Sequence, residues 1–152
     1  MSSATDITSD NVAMSVTDID SSADWYGRGF GFTPEHRAVI EPLQADLLIL
    51  RRPGLQVELF SRRGTPRAPD MIPGSHLDAS GLKAIVIRFD DIGAVTSYSE
   101  GEQAILAWKL QPLSLDGLRS TMMRDPDGRL INVLCYSAAA GCNPIHGGVR
   151  CC

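Results

Sequence analysis

Residues 53–59 read Pro-Gly-Leu-Gln-Val-Glu-Leu, and residues 126–133 read Pro-Asp-Gly-Arg-Leu-Ile-Asn-Val, nearly the same stretch with one residue inserted. The match continues outward, since a shift of about 73 positions places residues 16–18 (Val-Thr-Asp) on residues 89–91 (Phe-Asp-Asp). The same shift places Trp25 on Tyr98. Two similar halves predict one domain built from two copies of a small unit. A site formed between the copies would take equivalent positions from each half.

The composition is ordinary for a globular domain, with 152 residues, 43% of them hydrophobic and 21% charged. A net charge of -4 gives no basic surface for nucleic acid, so we expect no such partner. No apolar run approaches the roughly 20 residues that span a bilayer, so we expect no membrane contact. Residues 1–10 are polar and lack the basic and apolar regions of a signal peptide. They are predicted to be a disordered leader, and the expected location is the cytoplasm.

The four cysteines are predicted to be free thiols, because disulfides are rare in intracellular proteins. Cys135 lies in an apolar run and is interpreted as a small core residue. Cys142, Cys151 and Cys152 lie in residues 137–152, which are predicted to be a flexible tail rich in Gly and Cys. No Cys-x-x-Cys spacing supports a metal site there.

Apolar periodicity and turn residues predict the same order of elements in each half, a strand, a helix and three further strands. A linker, residues 62–81, separates the halves and contains Pro66, Pro69 and Pro73. Asp18 and the serines after it predict a helix start, and the glycines of 27–31 predict its end. The predicted elements are strand 11–16, helix 18–26, strands 32–40, 45–51 and 56–61, strand 83–89, helix 92–100, and strands 104–110, 118–124 and 130–136.

Five stretches in this order resemble the vicinal oxygen chelate superfamily, the group of glyoxalases, bleomycin-resistance proteins and extradiol dioxygenases. They are residues 16–26 (VTDIDSSADWY), 29–32 (GFGF), 57–60 (VELF), 89–92 (FDDI) and 124–131 (RDPDGRLI). The resemblance covers residues 11–136, read as a single domain with units 11–61 and 82–136. It implies an α+β fold in which two tandem βαβββ units form a cupped mixed sheet around a pocket. It also implies a small-molecule ligand and a homodimer.

Metal-dependent members of this superfamily have His near the start of the first strand of each unit and Glu on the last strands. The positions that match are Asn11, Ala84, Glu58 and Asn132, so only one acid remains. A catalytic transition metal needs about three imidazole, thiolate or carboxylate ligands. The resemblance, with these ligand positions mostly lost, therefore predicts a protein without the usual metal and without another cofactor.

Side chains alternate across a strand, so residues two positions from these ligand positions are predicted to face the same pocket. Glu58 is the candidate catalytic group. Burying a lone carboxylate costs free energy, so its presence at an inward position favours a role as general base or acid. Arg88 would bind a carboxylate or an enolate, although pairing with Glu58 or exposure to solvent is an open alternative. Trp108 would form an aromatic wall or fill the core. The candidate substrate-binding residues are Asn11, Ser15, Gln56, Arg88, Trp108 and Asn132.

Two histidines are secondary candidates. His36 aligns with Lys109 under the repeat, which indicates a solvated strand edge, and a proton carrier is the alternative. His76 lies in the linker and is interpreted as exposed. Ligands supplied by these histidines would be needed for a metal enzyme, a third possibility.

The sequence predicts a metal-independent enzyme that transfers protons on a small, fairly apolar carbonyl compound. The reaction would be an isomerisation, an elimination or a cyclisation, with Glu58 as general base or acid. The alternative is a protein that binds or sequesters a small molecule, similar to the bleomycin-resistance branch. Glu58→Gln separates the two hypotheses, since it should abolish turnover in an enzyme but only shift affinity in a binding protein.

Overall fold

The chain forms two compact units whose boundary falls between Arg67 and Ala68 in the computed structural model. The structure describes residues 11–113 and 117–136. The first unit consists of β1 (Asn11–Ser15), α1 (Ile19–Phe30), β2 (Thr33–Ile40), β3 (Ala45–Arg52) and β4 (Leu55–Ser61). The second consists of β5 (Ile85–Arg88), α2 (Ile92–Gly101), β6 (Leu106–Pro112), β7 (Leu118–Arg124) and β8 (Leu130–Tyr136). Short 3-10 helices span Glu41–Leu43 and Ser75–Leu77.

Each unit is a four-stranded mixed sheet with one helix, which confirms the α+β class and the two βαβββ units. The strand orders are β1-β4-β3-β2 and β5-β8-β7-β6, and the first strand of each unit runs parallel to the last. Ala13 pairs with Glu58 in the first sheet, and Val86 pairs with Asn132 in the second. The internal repeat is therefore present in the strand register. A pocket enclosed by the two units stays a prediction.

Both helices begin at an aspartate that caps the first turn. The Asp18 carboxylate accepts a hydrogen bond from the Ser21 backbone N–H at 2.8 Å, and Asp91 accepts one from the Ala94 N–H at 2.8 Å. The bond from the Ser21 N–H holds the pKa of Asp18 below its ordinary value.

The end of α1 differs from the prediction. The glycines of 27–31 were expected to end the helix, but α1 continues through Gly27 to Phe30. The residue that ends it is Gly31, at φ 72, a left-handed conformation that suits glycine. Gly27 has a different role, because a Cβ there would lie 3.2 Å from the Phe32 carbonyl oxygen. Its hydrogen side chain allows the chain after the helix to pass closely.

Part of the predicted linker is anchored to the second unit. Nη2 of Arg124 donates to the Met71 carbonyl oxygen at 3.1 Å, and the Met71 N–H bonds to the Gly128 carbonyl at 3.4 Å. A turn across residues 125–128 joins β7 and β8 into a hairpin. The Asp125 carboxylate holds that turn by accepting from the backbone N–H groups of Asp127 and Arg129.

Cys135 is buried, as expected for a core residue. Cys142, Cys151 and Cys152 lie outside the described residues, as do the predicted leader and tail.

The core of each unit lies between its helix and one face of its sheet. In the first unit Tyr26, Leu50 and Leu59 have no exposed surface. In the second, Thr96 of α2 bonds to Thr121 of β7 at 2.8 Å, and the Ser99 hydroxyl lies 3.4 Å from the sulfur of Met123. Side chains alternate across a strand, so the remaining residues lie on the opposite side of each sheet, called here the helix-free face.

Candidate functional site

The helix-free face of the first unit carries most of the predicted site. Strand register places Asn11 beside Gln56 and Ser15 beside Phe60, with Glu58 between them on β4. Asn11 and Ser15 are exposed, whereas Gln56, Glu58 and Phe60 are half-buried. This face therefore combines amide, hydroxyl and carboxylate groups with an aromatic ring.

Glu58 and Asn11 are in direct contact. Nδ2 of Asn11 donates a hydrogen bond to Oε1 of Glu58 at 2.9 Å. An ionised carboxylate only accepts, so the amide nitrogen must face Glu58 and the amide oxygen is left for another donor. Within the described ranges the Glu58 side chain forms no ion pair and no other hydrogen bond. The acid is thus oriented by a neutral partner, and its second oxygen is available.

Arg51 is a polar residue of this face that the sequence analysis missed. Its Nε donates to Oε2 of Glu35 at 2.7 Å, and its Nη2 donates to Oε1 of Gln56 at 2.8 Å. Since arginine only donates, the Gln56 oxygen faces Arg51 and the Gln56 NH₂ group is left for other partners. The signal was present in the alternation of β3, where Ile49 and Arg51 share one face.

His36 lies in the same row of the sheet as Glu58. It pairs with Ile49, and Ile49 pairs with Glu58, so His36 is two strands and about 10 Å from the acid. The equivalent row in the second unit is Trp108, Met122 and Asn132. The expected equivalence of His36 with Lys109 is therefore wrong. Irregular pairing in β2 and β6 changes the offset by one residue, and Lys109 instead bonds Glu100 of α2 at 2.7 Å.

Three side chains of the second unit form a hydrogen-bonded chain on its helix-free face. Nε1 of Trp108 donates to Oγ of Ser120 at 2.9 Å, and that hydroxyl bonds Oδ1 of Asn132 at 2.5 Å. Ser120 is fully buried, while Trp108 and Asn132 are half-buried. Ser120 was not predicted, and nothing in its neighbourhood in the sequence marks it.

Arg88 lies on the same face, beside Leu134 of β8. Its guanidinium carbon is 4.9 Å from the centre of the Tyr136 ring, a cation–π contact. Arg88 is exposed, and it forms no ion pair with any residue that the structure describes. Of the two alternatives for Arg88, exposure to solvent fits the structure, together with a stacking partner that was not predicted.

A groove of about 650 Å³ lies apart from these residues, between α1 and β2. Two ion pairs stand at its rim, Asp24 with Arg28 at 3.0 Å and Asp20 with Arg37 at 2.8 Å. The hydrogen bond with Asp20 raises the pKa of Arg37 above its ordinary value. Of the residues singled out from the sequence, His36 borders this groove.

The residues at the family's metal positions do not fit a transition-metal centre. In the first unit they are an amide and a carboxylate already bonded to each other, Asn11 and Glu58. In the second they are a methyl group and an amide, Ala84 and Asn132. Among residues 11–113 and 117–136 no three His, Cys, Asp or Glu side chains group closely enough to hold a metal ion. The side chain of His76 lies outside the described set.

The two repeated units, with polar residues at equivalent positions of their helix-free faces, define a protein of the vicinal oxygen chelate class. The family model of the Glyoxalase/Bleomycin resistance protein/Dioxygenase superfamily matches residues 8–133, and the chain belongs to this superfamily. Curated protein sequences gave no significant match. In the described part of the chain, no helix has the length and apolar character needed to cross a bilayer.

Solved structures share the fold at low sequence identity. A glyoxalase family protein from Bacillus cereus is 18% identical with a TM-score of 0.70, covering 88% of this chain and 97% of that one. TioX from Micromonospora sp. ML1 is 25% identical with a TM-score of 0.61, covering 84% and 97%. The trypanothione-dependent glyoxalase I of Leishmania major is 17% identical with a TM-score of 0.64, covering 82% and 83%.

Proposed function

We propose that the chain is a metal-independent enzyme that transfers protons on a small, fairly apolar carbonyl compound, with Glu58 as general base or acid. The observation that carries the proposal is the single 2.9 Å bond from Asn11 to Glu58. It fixes one carboxylate oxygen and leaves the other available. A carboxylate held by a cation would be a weaker base, because the positive charge stabilises its ionised form.

The surroundings of Glu58 suit an apolar substrate. Its neighbours in the row are Ile49 on β3 and Ala13 on β1, and Phe60 follows on β4. Glu58 would remove a proton from the carbon next to a carbonyl group and return it to another carbon or oxygen. This step underlies isomerisation, elimination and cyclisation. The amides of Asn11 and Gln56, with the Ser15 hydroxyl, would orient the substrate from the same face.

The second unit carries its own candidate ligand contacts, which we propose separately from those of the first unit. Arg88 supplies a cation that forms no ion pair with a described residue, and Asn132 supplies an amide. Trp108 forms an aromatic wall beside Met122. The enzyme would act as a homodimer in the cytoplasm, without metal, cofactor or nucleic acid. Light scattering of the purified 16.4 kDa chain tests the dimer.

The experiment is the exchange of the α-protons of cyclohexanone in D₂O, followed by proton NMR. The native chain should accelerate exchange above the buffer rate, and Glu58→Gln should reduce the acceleration about 10²- to 10⁴-fold, as for other general bases. The matched control is Glu41→Gln, an exposed acid in a 3-10 helix, which should leave the rate unchanged. An equal rate in native chain and Glu58→Gln would refute the role of Glu58.

The alternative is a protein that binds a small molecule without turnover. The half-buried apolar side chains of Leu47, Ile49 and Phe60 on the helix-free face favour it, since they would bind an apolar ligand without chemistry. In that case cyclohexanone or a larger ketone would bind with no exchange above buffer, and Glu58→Gln would change only the affinity.

A further inference from the structure

The bonds between Trp108, Ser120 and Asn132 have a fixed direction. Indole Nε1 is a donor only, so the Ser120 hydroxyl must accept from Trp108. The single proton of that hydroxyl is then available for Asn132, at an oxygen–oxygen distance of 2.5 Å. Ser120 is fully buried, so water does not offer it another partner.

The orientation of the Asn132 amide follows from this direction. A hydroxyl that donates to Asn132 requires the amide oxygen on the Ser120 side, so the NH₂ group points the other way. The Asn132 side chain forms no further hydrogen bond with the described residues. Its two N–H donors are therefore unused within the second unit.

The neighbours of Asn132 in the row are apolar. Val86 on β5 is 56% exposed and Met122 on β7 is buried. A donor set among apolar side chains bonds an acceptor more strongly than one surrounded by water. Arg88 lies on the same face, two residues beyond Val86 on β5, and is also a donor only.

We infer that Asn132 is a hydrogen-bond donor for an acceptor oxygen of the ligand, a carbonyl or carboxylate oxygen, and that Trp108 and Ser120 are its positioning residues. The inference goes beyond the proposed function, because it concerns a ligand contact of the second unit by itself. The ligand selected is an apolar molecule with an acceptor group, rather than one with an ammonium or hydroxyl donor.

The test is a titration of the ¹⁵N-labelled chain with two probes of one shape, cyclohexanone as acceptor and cyclohexylammonium as donor. The Asn132 side-chain resonance is identified by its loss in Asn132→Asp. In the native chain cyclohexanone should shift this resonance and bind more tightly than cyclohexylammonium. Asn132→Asp keeps the bond from Ser120 but replaces the donor by an acceptor, so the ketone affinity should fall about tenfold. The order of the two probes should then reverse.

The positioning role has its own readout, the ratio of the two affinities. Trp108→Phe and Ser120→Ala release the amide to rotate, so the ratio should approach one, and Ser120→Thr, which keeps the hydroxyl, should restore the preference. A purely structural role would lower both affinities equally and leave the ratio unchanged.

Three results would overturn the inference: no shift of the Asn132 resonance with either probe, equal native affinities, or an unchanged preference in Asn132→Asp. These results are independent of the exchange assay. A ketone preference without proton exchange would refute the proposed enzyme and leave the donor role of Asn132 standing.

Discussion

The two units have the same backbone and opposite side-chain chemistry. In the first, one row across the sheet reads His36, Ile49, Glu58 and Ala13; in the second it reads Trp108, Met122, Asn132 and Val86. The first row contains two ionisable groups, and the second contains none. The two units therefore share this pairing of strands, although the side chains at equivalent positions differ.

The units also differ in how their polar groups are protected from water. The contacts from Asn11 to Glu58 and from Arg51 to Glu35 and Gln56 are exposed. In the second unit the central group, Ser120, is fully buried. Removing a buried hydrogen-bonding group costs more than removing an exposed one, because the partners it leaves behind are cut off from water. The same kind of substitution should therefore have unequal effects in the two units.

The largest effect is expected for Ser120→Ala, which leaves Nε1 of Trp108 and Oδ1 of Asn132 without their partner. We expect a loss of about 2 kcal/mol in the free energy of unfolding, measured by urea denaturation. Ser97→Ala, at an exposed position of α2, is the control and should change it by less than about 0.5 kcal/mol. Equal effects of the two variants would contradict the buried hydrogen-bonded chain.

The ends of the two helices should respond in opposite directions. After α1 the left-handed position is Gly31, at φ 72, whereas after α2 it is Gln103, at φ 56. Gly31→Ala should lower the free energy of unfolding by about 1 kcal/mol, and Gln103→Gly should raise it by about 0.5 kcal/mol. Denaturation of both variants beside the native chain measures the two signs. The same sign in both would show that backbone conformation does not control these positions.

The bond between Asn11 and Glu58 should contribute less than the buried chain of the second unit. Asn11→Ala gives the first unit the residue that Ala84 provides in the second, and it should cost about 0.5–1 kcal/mol. A double-mutant cycle with Glu58→Ala isolates the pair from other effects of each substitution, because alanine removes the acceptor that glutamine would keep. A coupling energy of zero would mean that the two side chains do not interact in solution.

The smallest expected effect is a dependence of stability on pH at Asp18. The pKa of Asp18 is lowered in the folded chain by the bond from the Ser21 N–H, so the stability it contributes is present above its ordinary pKa. That contribution is lost as the pH falls through the lowered folded-state value. Asp18→Ala should therefore lower the melting temperature by a few degrees at neutral pH, and the difference from the native chain should disappear only as the pH falls through the lowered pKa, below 3.8. A constant difference across this range would exclude the capping carboxylate as the cause.

Most of the fold could be predicted from the sequence, because periodicity and turn residues carry it. All eight strands and both helices were predicted. The end of α1 was predicted too early, because the glycines after residue 26 were expected to end the helix. Gly27 lies within the helix, and a Cβ there would come within 3.2 Å of the Phe32 carbonyl oxygen, a close approach that the sequence pattern does not show.

The candidate site was less predictable than the fold. Asn11, Glu58 and Asn132 were selected through the metal-ligand positions of the superfamily that the sequence resembles, whereas Arg51 and Ser120 were missed. Their importance depends on partners in other strands, Gln56 for Arg51 and Trp108 for Ser120. The equivalence of His36 with Trp108 was hidden as well, because β-sheet irregularities shift the register by a residue without leaving a gap in the sequence.

The parallel pairing of the first and last strands of each unit has a consequence for the order of events during synthesis. Asn11 pairs with Gln56, and Ile85 pairs with Ile131, so β1 and β5 have no strand partner within their own sheets until β4 and β8 exist. A strand that waits for a distant partner must close a long loop, which is slow. On the ribosome, the Asn11 amide and the Glu58 carboxylate would meet only after β4 has emerged, so the catalytic face proposed for the first unit would be among the last parts of that unit to form.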